Sequence, residues 1–172
     1  MQIGQVMKKI LFIILLGILM SAKAQSSQNT LKTVDFNEFQ KILQTNDDIL
    51  YVVNFWATWC KPCIEEIPGF MEVNSMYKDN PNFKMILVSM DHPKSINSRV
   101  KKFIQKNNMD VDVYVLDEKS PFTEWMPKID EAWMGAIPAT VLYKNGKKLF
   151  FKQFQITQYE LEDLIIDNLD VD

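Results

Sequence analysis

The sequence predicts an α/β fold in which parallel strands are connected by helices. Two apolar runs, "ILYVVNFWA" at residues 49–57 and "FKMILVSM" at residues 83–90, are typical of strands covered on both faces. Segments with apolar residues at helical spacing follow both runs. A chain of 172 residues, 47% of them hydrophobic, can bury one sizeable core, so we expect one domain.

Three helices are predicted in the first two thirds of the chain. The first covers about residues 36–44, where Asp35 and Glu38 form the pattern of a capping box in front of an apolar helical face. The second follows the first apolar strand and contains Pro68, which lacks an amide donor and is expected to kink the helix. The third covers residues 93–106, with apolar side chains on one face and lysines opposite.

The last third of the sequence predicts a strand, a connecting segment, a β-hairpin and a final helix. Residues 111–117 alternate like a strand, and residues 120–133 form a helical or irregular connection. Asn145 and Gly146 lie between two β-rich runs, and both residue types accept the positive φ of a two-residue hairpin turn. A capping pattern at Thr157 then begins an amphipathic terminal helix.

The two cysteines, Cys60 and Cys63, lie where the first long strand ends and a helix begins. The unpaired amides and positive dipole of a helix N-terminus favour the thiolate of Cys60 over its thiol. Lys61 adds a nearby positive charge, and Pro62 at an early helical position restrains the turn. We therefore expect Cys60 to attack a substrate disulfide and Cys63 to resolve the resulting mixed disulfide.

Two other roles fit the cysteine pair less well. As a structural crosslink, a disulfide that closes so short a loop would restrain little chain entropy. As a metal site, the two cysteines and the single histidine, His92, cannot supply the four ligands of a Cys₂His₂ centre. We therefore predict no metal site and interpret His92 as an ordinary loop residue.

The chain resembles the thioredoxin superfamily and, within it, the exported TlpA/ResA-like thiol–disulfide oxidoreductases. The resemblance rests on "FWATWCKPC" at residues 55–63, on Pro68, on "GAIPAT" at residues 135–140, and on the hairpin and final helix. It implies a thioredoxin fold over residues 33–172, with a central mixed β-sheet flanked by helices. The residues between the predicted helix at 93–106 and "GAIPAT", including the strand at 111–117, look like the insertion that TlpA/ResA-type members carry before the cis-proline loop.

The resemblance also implies a substrate-binding surface beside the cysteines. Ile137 and Pro138 match the cis-proline loop, which offers backbone groups to an extended substrate segment. Trp59, next to Cys60, is expected at the apolar rim of the site. Trp56 fits either the core or a contact with substrate. Trp125 and Trp133, in the insertion, are expected in the core, with a partner-binding surface as the alternative.

Two further residues concern proton transfer. Asn54 stands where thioredoxins themselves keep a buried acid, and an amide cannot accept that proton. Glu66 matches the glutamate of the "C-x-x-C-x-x-E-x-P" pattern and lies three residues after Cys63, on the same helical face. Our hypothesis is that Glu66 exchanges protons with Cys63. A carboxylate raises thiol pKa values and a helix N-terminus lowers them, so the net shift stays open.

The N-terminus predicts an export signal at residues 1–24. Lys8 and Lys9 precede an apolar run, and "SAKA" ends in the small-x-small pattern of a cleavage site after Ala24. The alternative is an uncleaved membrane anchor. The polar residues 25–32 then predict a short disordered leader. Export, to a periplasm by resemblance, would place the cysteines where disulfides persist.

The charge and the resemblance limit the partners. A formal net charge of −3 gives no reason to expect nucleic acid. The resemblance implies a disulfide-bearing exported protein as substrate, a membrane-embedded thiol donor, and no cofactor beyond the Cys60–Cys63 disulfide. Membrane contact is expected only through that donor or an uncleaved signal. Cytochrome c maturation is one outlet of the family, but nothing in the sequence selects it.

The resulting prediction is a thiol–disulfide oxidoreductase that reduces disulfides of other exported proteins. A disulfide-forming oxidase is the first alternative, because the same motif serves both directions. The C-x-x-C spacing is not the one that peroxide reduction requires. An alternative of another class is a redox-inactive thioredoxin-fold module that binds a partner at the cis-proline groove.

Overall fold

A six-stranded mixed β-sheet forms the centre of the fold, in a computed structural model that describes residues 29–169. The strands are β1 Leu31–Val34, β2 Leu50–Trp56, β3 Phe83–Ser89, β4 Asp112–Leu116, β5 Ala139–Lys144 and β6 Lys147–Gln153. Their spatial order is β1-β4-β3-β2-β5-β6; the first four in this order pair in parallel, and β5 pairs antiparallel with both β2 and β6. The predicted signal, its cleavage site and the start of the leader lie outside the described residues.

Five α-helices accompany the sheet within the described residues. They are α1 Phe36–Leu43, α2 Lys61–Tyr77, α3 Lys101–Lys106, α4 Phe122–Ile129 and α5 Gln158–Asn168. The predicted α/β arrangement is confirmed, and the bounds of β2 to β6, α1 and α4 lie within a few residues of the predicted ones. Pro68 lies inside α2, which continues on both sides of it.

The segment predicted as one helix at residues 93–106 is instead three successive helical pieces. A 3₁₀ turn at Pro93–Ser95 is followed by a π-helical turn at Ile96–Val100 and only then by α3. The apolar spacing predicts that the segment is helical, but a pattern of apolar residues cannot distinguish the hydrogen-bonding registers of the three helix types.

Each face of the sheet has its own apolar core. One core contains both cysteines and side chains of α2 and α5, including Phe70 and Leu161. The opposite core contains side chains of α1 and α4, including Phe39 and Trp125. Because successive side chains of β2 point to alternate faces, the strand contributes to both cores, and all seven of its residues are buried. This double burial explains why the run at residues 49–57 is apolar except for Asn54.

The predicted insertion supplies β4 and α4. β4 lies between β1 and β3 in the sheet, and α4 packs against the core on the α1 side. Trp125 and Trp133 are buried there, with ring centroids 5.6 Å apart in an edge-to-face arrangement, so their predicted core role is confirmed. The indole N–H of Trp133 donates to the carbonyl of Ala136 at 2.9 Å, which ties the insertion to the loop before β5.

The prediction of disorder through residue 32 is wrong for Leu31 and Lys32, which belong to β1. This strand pairs in parallel with β4, and the amide of Thr30 donates to the Asp112 carboxylate at 2.6 Å. Only Val34 of the strand is fully buried. The polar composition hid the strand, since an edge strand is stabilised by backbone pairing and needs few apolar side chains.

Asp35→Ala tests the predicted capping box of α1. The Asp35 carboxylate accepts from the amide of Glu38 at 2.7 Å, and the Glu38 carboxylate accepts from the amide of Asp35 at 3.3 Å. Loss of the cap should lower the free energy of unfolding by about 1 kcal/mol, measured by urea titration. Asn37→Ala, at an exposed site on the same helix, is the control. Equal stabilities of the two variants would contradict the capping role.

Candidate active site

Cys60 occupies the N-cap of α2, four residues after β2 ends, and is joined to Cys63 by a disulfide with the two Cα atoms 5.3 Å apart. Cys60 is 5% exposed, whereas Cys63 is fully buried. The amide of Cys63 donates to the Sγ of Cys60 at 3.3 Å. After reduction the same amide and the helix N-terminus favour a thiolate at Cys60. The geometry therefore makes Cys60 the more accessible sulfur of the pair and places it at the N-terminus of α2.

The loop before β5 lies directly over this sulfur. The Ile137–Pro138 peptide bond is cis, and the carbonyl oxygen of Ile137 is 3.8 Å from the Sγ of Cys60. Trp59 is 63% exposed beside the disulfide. Trp56, in contrast, is completely buried, so the structure assigns it to the core. An exposed aromatic ring and a backbone loop thus flank the Sγ of Cys60.

The residues around the motif contribute unequally. Lys61 is 87% exposed and lies 3.8 Å from the Glu65 carboxylate, so solvent screens its charge from Cys60. Pro62 lies in the first turn of α2, as predicted, where its missing amide costs no helical hydrogen bond. Its carbonyl accepts from the side-chain amide of Gln155 at 2.9 Å. The first turn of α2 is therefore held in place from outside the helix.

Glu66 and Asn54, for which the sequence suggested no contact with each other, form one buried hydrogen-bonded group. The Nδ2 of Asn54 donates to Oε1 of Glu66 at 2.7 Å and to the hydroxyl of Thr140 at 3.2 Å. The backbone amide of Ile156 donates to the other carboxylate oxygen of Glu66 at 3.1 Å. Asn54 thus positions a carboxylate that comes from α2, in place of the strand acid that thioredoxins keep.

Burial sets the proton affinity of this carboxylate. Glu66 is 8% exposed, and its desolvation raises its pKa to about 7. The amide of Ile156, the side chain of Asn54 and the charge of Lys152 each offset part of the rise. Near neutral pH the site therefore contains an acid that changes protonation one turn away from Cys63.

Sequence reasoning missed the segment at residues 154–156, which connects three parts of the site. Phe154 has a φ of 76° and donates its amide to the carbonyl of Pro138 at 2.7 Å. The next two residues make the contacts to Pro62 and Glu66 described above. The contacts to Pro62 and Glu66 join residues that are 93 and 90 positions apart, and no local pattern marks them.

Asp91 is a second feature without a sequence signal. It is buried, and its carboxylate accepts from the backbone amide of Thr58 at 2.8 Å, from the Thr58 hydroxyl at 2.6 Å and from the Ser89 hydroxyl at 2.9 Å. These bonds fasten the short loop that carries Trp59 to the end of β3. The exposed ring of Trp59 is therefore presented by an anchored backbone.

Residues 29–169 contain neither a cluster of metal ligands nor a membrane-spanning helix. No cluster of three or more His, Cys, Asp or Glu side chains there has the arrangement of a metal site. Nor does that part of the chain contain a helix long and apolar enough to span a bilayer.

Comparison with known proteins matches residues 22–151 to the AhpC/TSA family. The chain belongs to the AhpC/TSA family of thioredoxin-like proteins. Thioredoxin-1 of Schizosaccharomyces pombe is 30% identical over 115 residues, which cover 67% of this chain and 76% of that protein. The thiol–disulfide oxidoreductase ResA of Geobacillus thermodenitrificans is 30% identical over 96 residues, 55% of this chain and 49% of ResA. The predicted resemblance to ResA-like proteins is thereby confirmed, although the chain spans only about half the length of that relative.

A solved structure confirms the fold of this AhpC/TSA-family protein. The thiol:disulfide interchange protein of Chlorobium tepidum superposes with a TM-score of 0.59 at 19% identity, covering 76% of this chain and 84% of that protein. At this identity the likeness establishes the thioredoxin-like fold alone.

Glu66→Gln should remove a pH dependence from the stability of the disulfide form. The carboxyl titrates at about 7 in the folded chain, above its ordinary value of 4.5, so between these pH values the folded state binds more protons than the unfolded state. Stability contributed by the neutral carboxyl is therefore complete at low pH and is lost as pH rises through 7. Urea titrations at pH 5 and pH 8 measure this effect. From pH 5 to pH 8, the free energy of unfolding of the wild type should fall by on the order of 2 kcal/mol more than that of Glu66→Gln.

Glu65→Gln, at the exposed neighbouring position, is the matched control and should retain the wild-type pH dependence. If wild type and Glu66→Gln lose the same free energy of unfolding between the two pH values, the raised pKa of Glu66 is wrong.

Proposed function

We propose that this protein is an exported thiol–disulfide oxidoreductase that reduces disulfides of other exported proteins. The observation that carries the proposal is the position of Cys60, at the N-terminus of α2, beneath the Ile137 carbonyl and beside the exposed Trp59. The named activity of ResA and the family membership support the chemistry. The signal pattern at residues 1–24 supports export.

The reaction transfers two electrons from the protein to its substrate. The Cys60 thiolate attacks one sulfur of the substrate disulfide, so that a mixed disulfide forms, the substrate bond breaks, and the leaving thiolate takes up a proton. Deprotonated Cys63 then attacks the Sγ of Cys60, closes the Cys60–Cys63 disulfide and releases the second substrate thiol. A membrane-embedded thiol donor would return two electrons to the pair, and the cycle uses no other cofactor.

Glu66 is proposed to exchange protons with Cys63 during this cycle. The two residues are three positions apart on α2, Cys63 is fully buried, and burial raises the pKa of Glu66 to about 7. Transfer of the buried thiol's proton to this carboxylate moves one negative charge within the core and adds none. Asn54 and Ile156 hold the carboxylate in a fixed orientation for this role.

Cys63→Ser should accumulate a mixed disulfide with a disulfide-bearing substrate, because the attacking thiol remains and the resolving thiol is gone. Cys60→Ser should form none, because the remaining sulfur is buried. The measurement is the mass of each reduced variant after reaction with an oxidised peptide that contains one cystine. Equal trapping by the two variants would contradict the assignment of the attacking cysteine.

The direction of electron flow is tested by equilibrating the wild type in graded dithiothreitol and glutathione buffers while tryptophan fluorescence is followed. A strongly reducing potential is expected. A strongly oxidising one would make the protein a disulfide donor. If no reversible two-electron transition appears, the redox-inactive binding module replaces the enzyme.

Glu66→Gln should also change the kinetics of the cysteine pair. In the wild type, the rate of disulfide reduction by dithiothreitol should show an inflection near pH 7. This inflection should be separate from the pH dependence that the titration of dithiothreitol itself causes. In the variant this inflection should be absent, and the rate should fall by about tenfold or more. Glu65→Gln should follow the wild type, and identical pH–rate profiles for all three proteins would exclude the proton exchange.

A further inference from the structure

A surface groove of about 410 Å³ lies against Trp59, the residue that precedes Cys60. Its walls are the Thr58–Trp59 loop on one side and the end of the 93–106 helical segment on the other, with Arg99, Lys102, Phe103 and Lys106 as lining residues. We propose that this groove binds an acidic segment of the disulfide-bearing partner protein, next to the bond that Cys60 attacks. The inference rests on the proposed function and adds the chemical class of substrate to it.

The groove concentrates positive charge on an acidic protein. Residues 93–106 contain five basic residues and no acidic one, whereas the whole chain has 19 basic and 22 acidic residues. Arg99, Lys102 and Lys106 follow one another at helical spacing, so they lie along one side of the segment. Within residues 29–169, no carboxylate forms an ion pair with any of these three cations. Their charges are therefore free to attract an external anion.

The floor of the groove is apolar. Phe103 is half-buried and packs its ring 5.1 Å from the ring of the buried Trp56, while its outer part lines the groove. The exposed ring of Trp59 adds apolar surface at the end nearest Cys60. A segment that fits this surface carries an apolar side chain close to its cystine and carboxylates farther away. Such a segment gains both burial and charge complementarity.

The backbone on both sides of the groove is ordered by contacts within the fold. The Asp91 carboxylate holds Thr58 through two hydrogen bonds. Opposite it, the π-helical turn at Ile96–Val100 sets the direction of Arg99, and such turns frequently occur at functional sites. A preformed groove loses less ordering entropy on binding than a flexible surface does.

The ordinary explanation of these lysines is the solvated face of an amphipathic helix, and Lys101 represents it. Lys101 has the same charge as Lys102, lies on the same helix and has an exposed side chain, but it does not line the groove. A role confined to solubility makes Lys101 and Lys102 equivalent. Binding of an acidic segment makes them different, and this difference is measurable.

The test uses three synthetic peptides that share one intramolecular cystine loop and differ only in whether Glu, Gln or Lys flanks it. The pre-reduced full-length protein is mixed with each peptide, and single-turnover oxidation of the Cys60–Cys63 pair is followed by tryptophan fluorescence. The Glu peptide should react about fivefold faster than the Gln peptide at low ionic strength, and the Lys peptide more slowly than both. Added salt should compress these ratios.

The ratio of the Glu-peptide rate to the Gln-peptide rate within each variant is the decisive quantity, because it is independent of the variant's general reactivity. Arg99→Gln combined with Lys102→Gln and Lys106→Gln should bring this ratio to about one. Lys101→Gln should keep the wild-type ratio. Urea unfolding of both variants checks that the exposed substitutions leave the fold intact.

Four outcomes would overturn the proposal. Equal rates for the Glu and Gln peptides, with exchange otherwise normal, would remove it and leave the proposed function in place. Loss of the Glu-peptide preference in Lys101→Gln as well would assign the preference to the overall charge of the protein. If the protein shows no peptide preference but binds anionic phospholipid vesicles through Arg99, Lys102 and Lys106, the groove contacts a membrane surface instead. Absence of exchange with all three peptides would overturn the proposed function, and this inference with it.

Discussion

The burial of β2 on both faces is the constraint on which the rest of the site depends. Because β2 pairs with β3 on one side and β5 on the other, its direction and register are determined by the whole sheet. The pairing of Phe55 with Ala139 places Pro138 beside the end of β2. The same strand end leads into the loop that presents Trp59 and Cys60. A shift of register would separate the cysteines from the Ile137 carbonyl that now faces them.

The polar chemistry of the site is organised around a carboxylate that reaches the core from a helix. Glu66 extends from α2 to the amide group of Asn54 on β2, and the amide of Ile156 completes its coordination. An acid on the strand would be positioned by the sheet itself. An acid on the helix needs donors from other elements to orient it. Asn54 and the segment before α5 supply these donors in addition to packing in the core. The same donors lessen, without cancelling, the rise in pKa that burial causes.

Features determined by neighbours in sequence were predictable. The capping box at Asp35, the hairpin turn at Asn145 and the cysteine pair at a strand–helix junction each depend on residues a few positions apart. The resemblance to a known family supplied the cis bond at Pro138. Contacts made across long stretches of sequence were not predictable: the pairing of β1 with β4, the anchoring of Thr58 by Asp91, and the links from residues 154–156 to the site. Local patterns carry no information about which distant backbone group will complete a hydrogen bond.

The two outer strands of the sheet limit how another polypeptide can approach. β1, at one edge, is only four residues long, and β6, at the other, carries Lys147, Lys148 and Lys152. Short length and lysine side chains are common means of preventing a foreign strand from extending a sheet. Both edges of the sheet therefore resist pairing with a foreign strand. The arrangement of the outer strands thus protects the sheet against edge-to-edge aggregation.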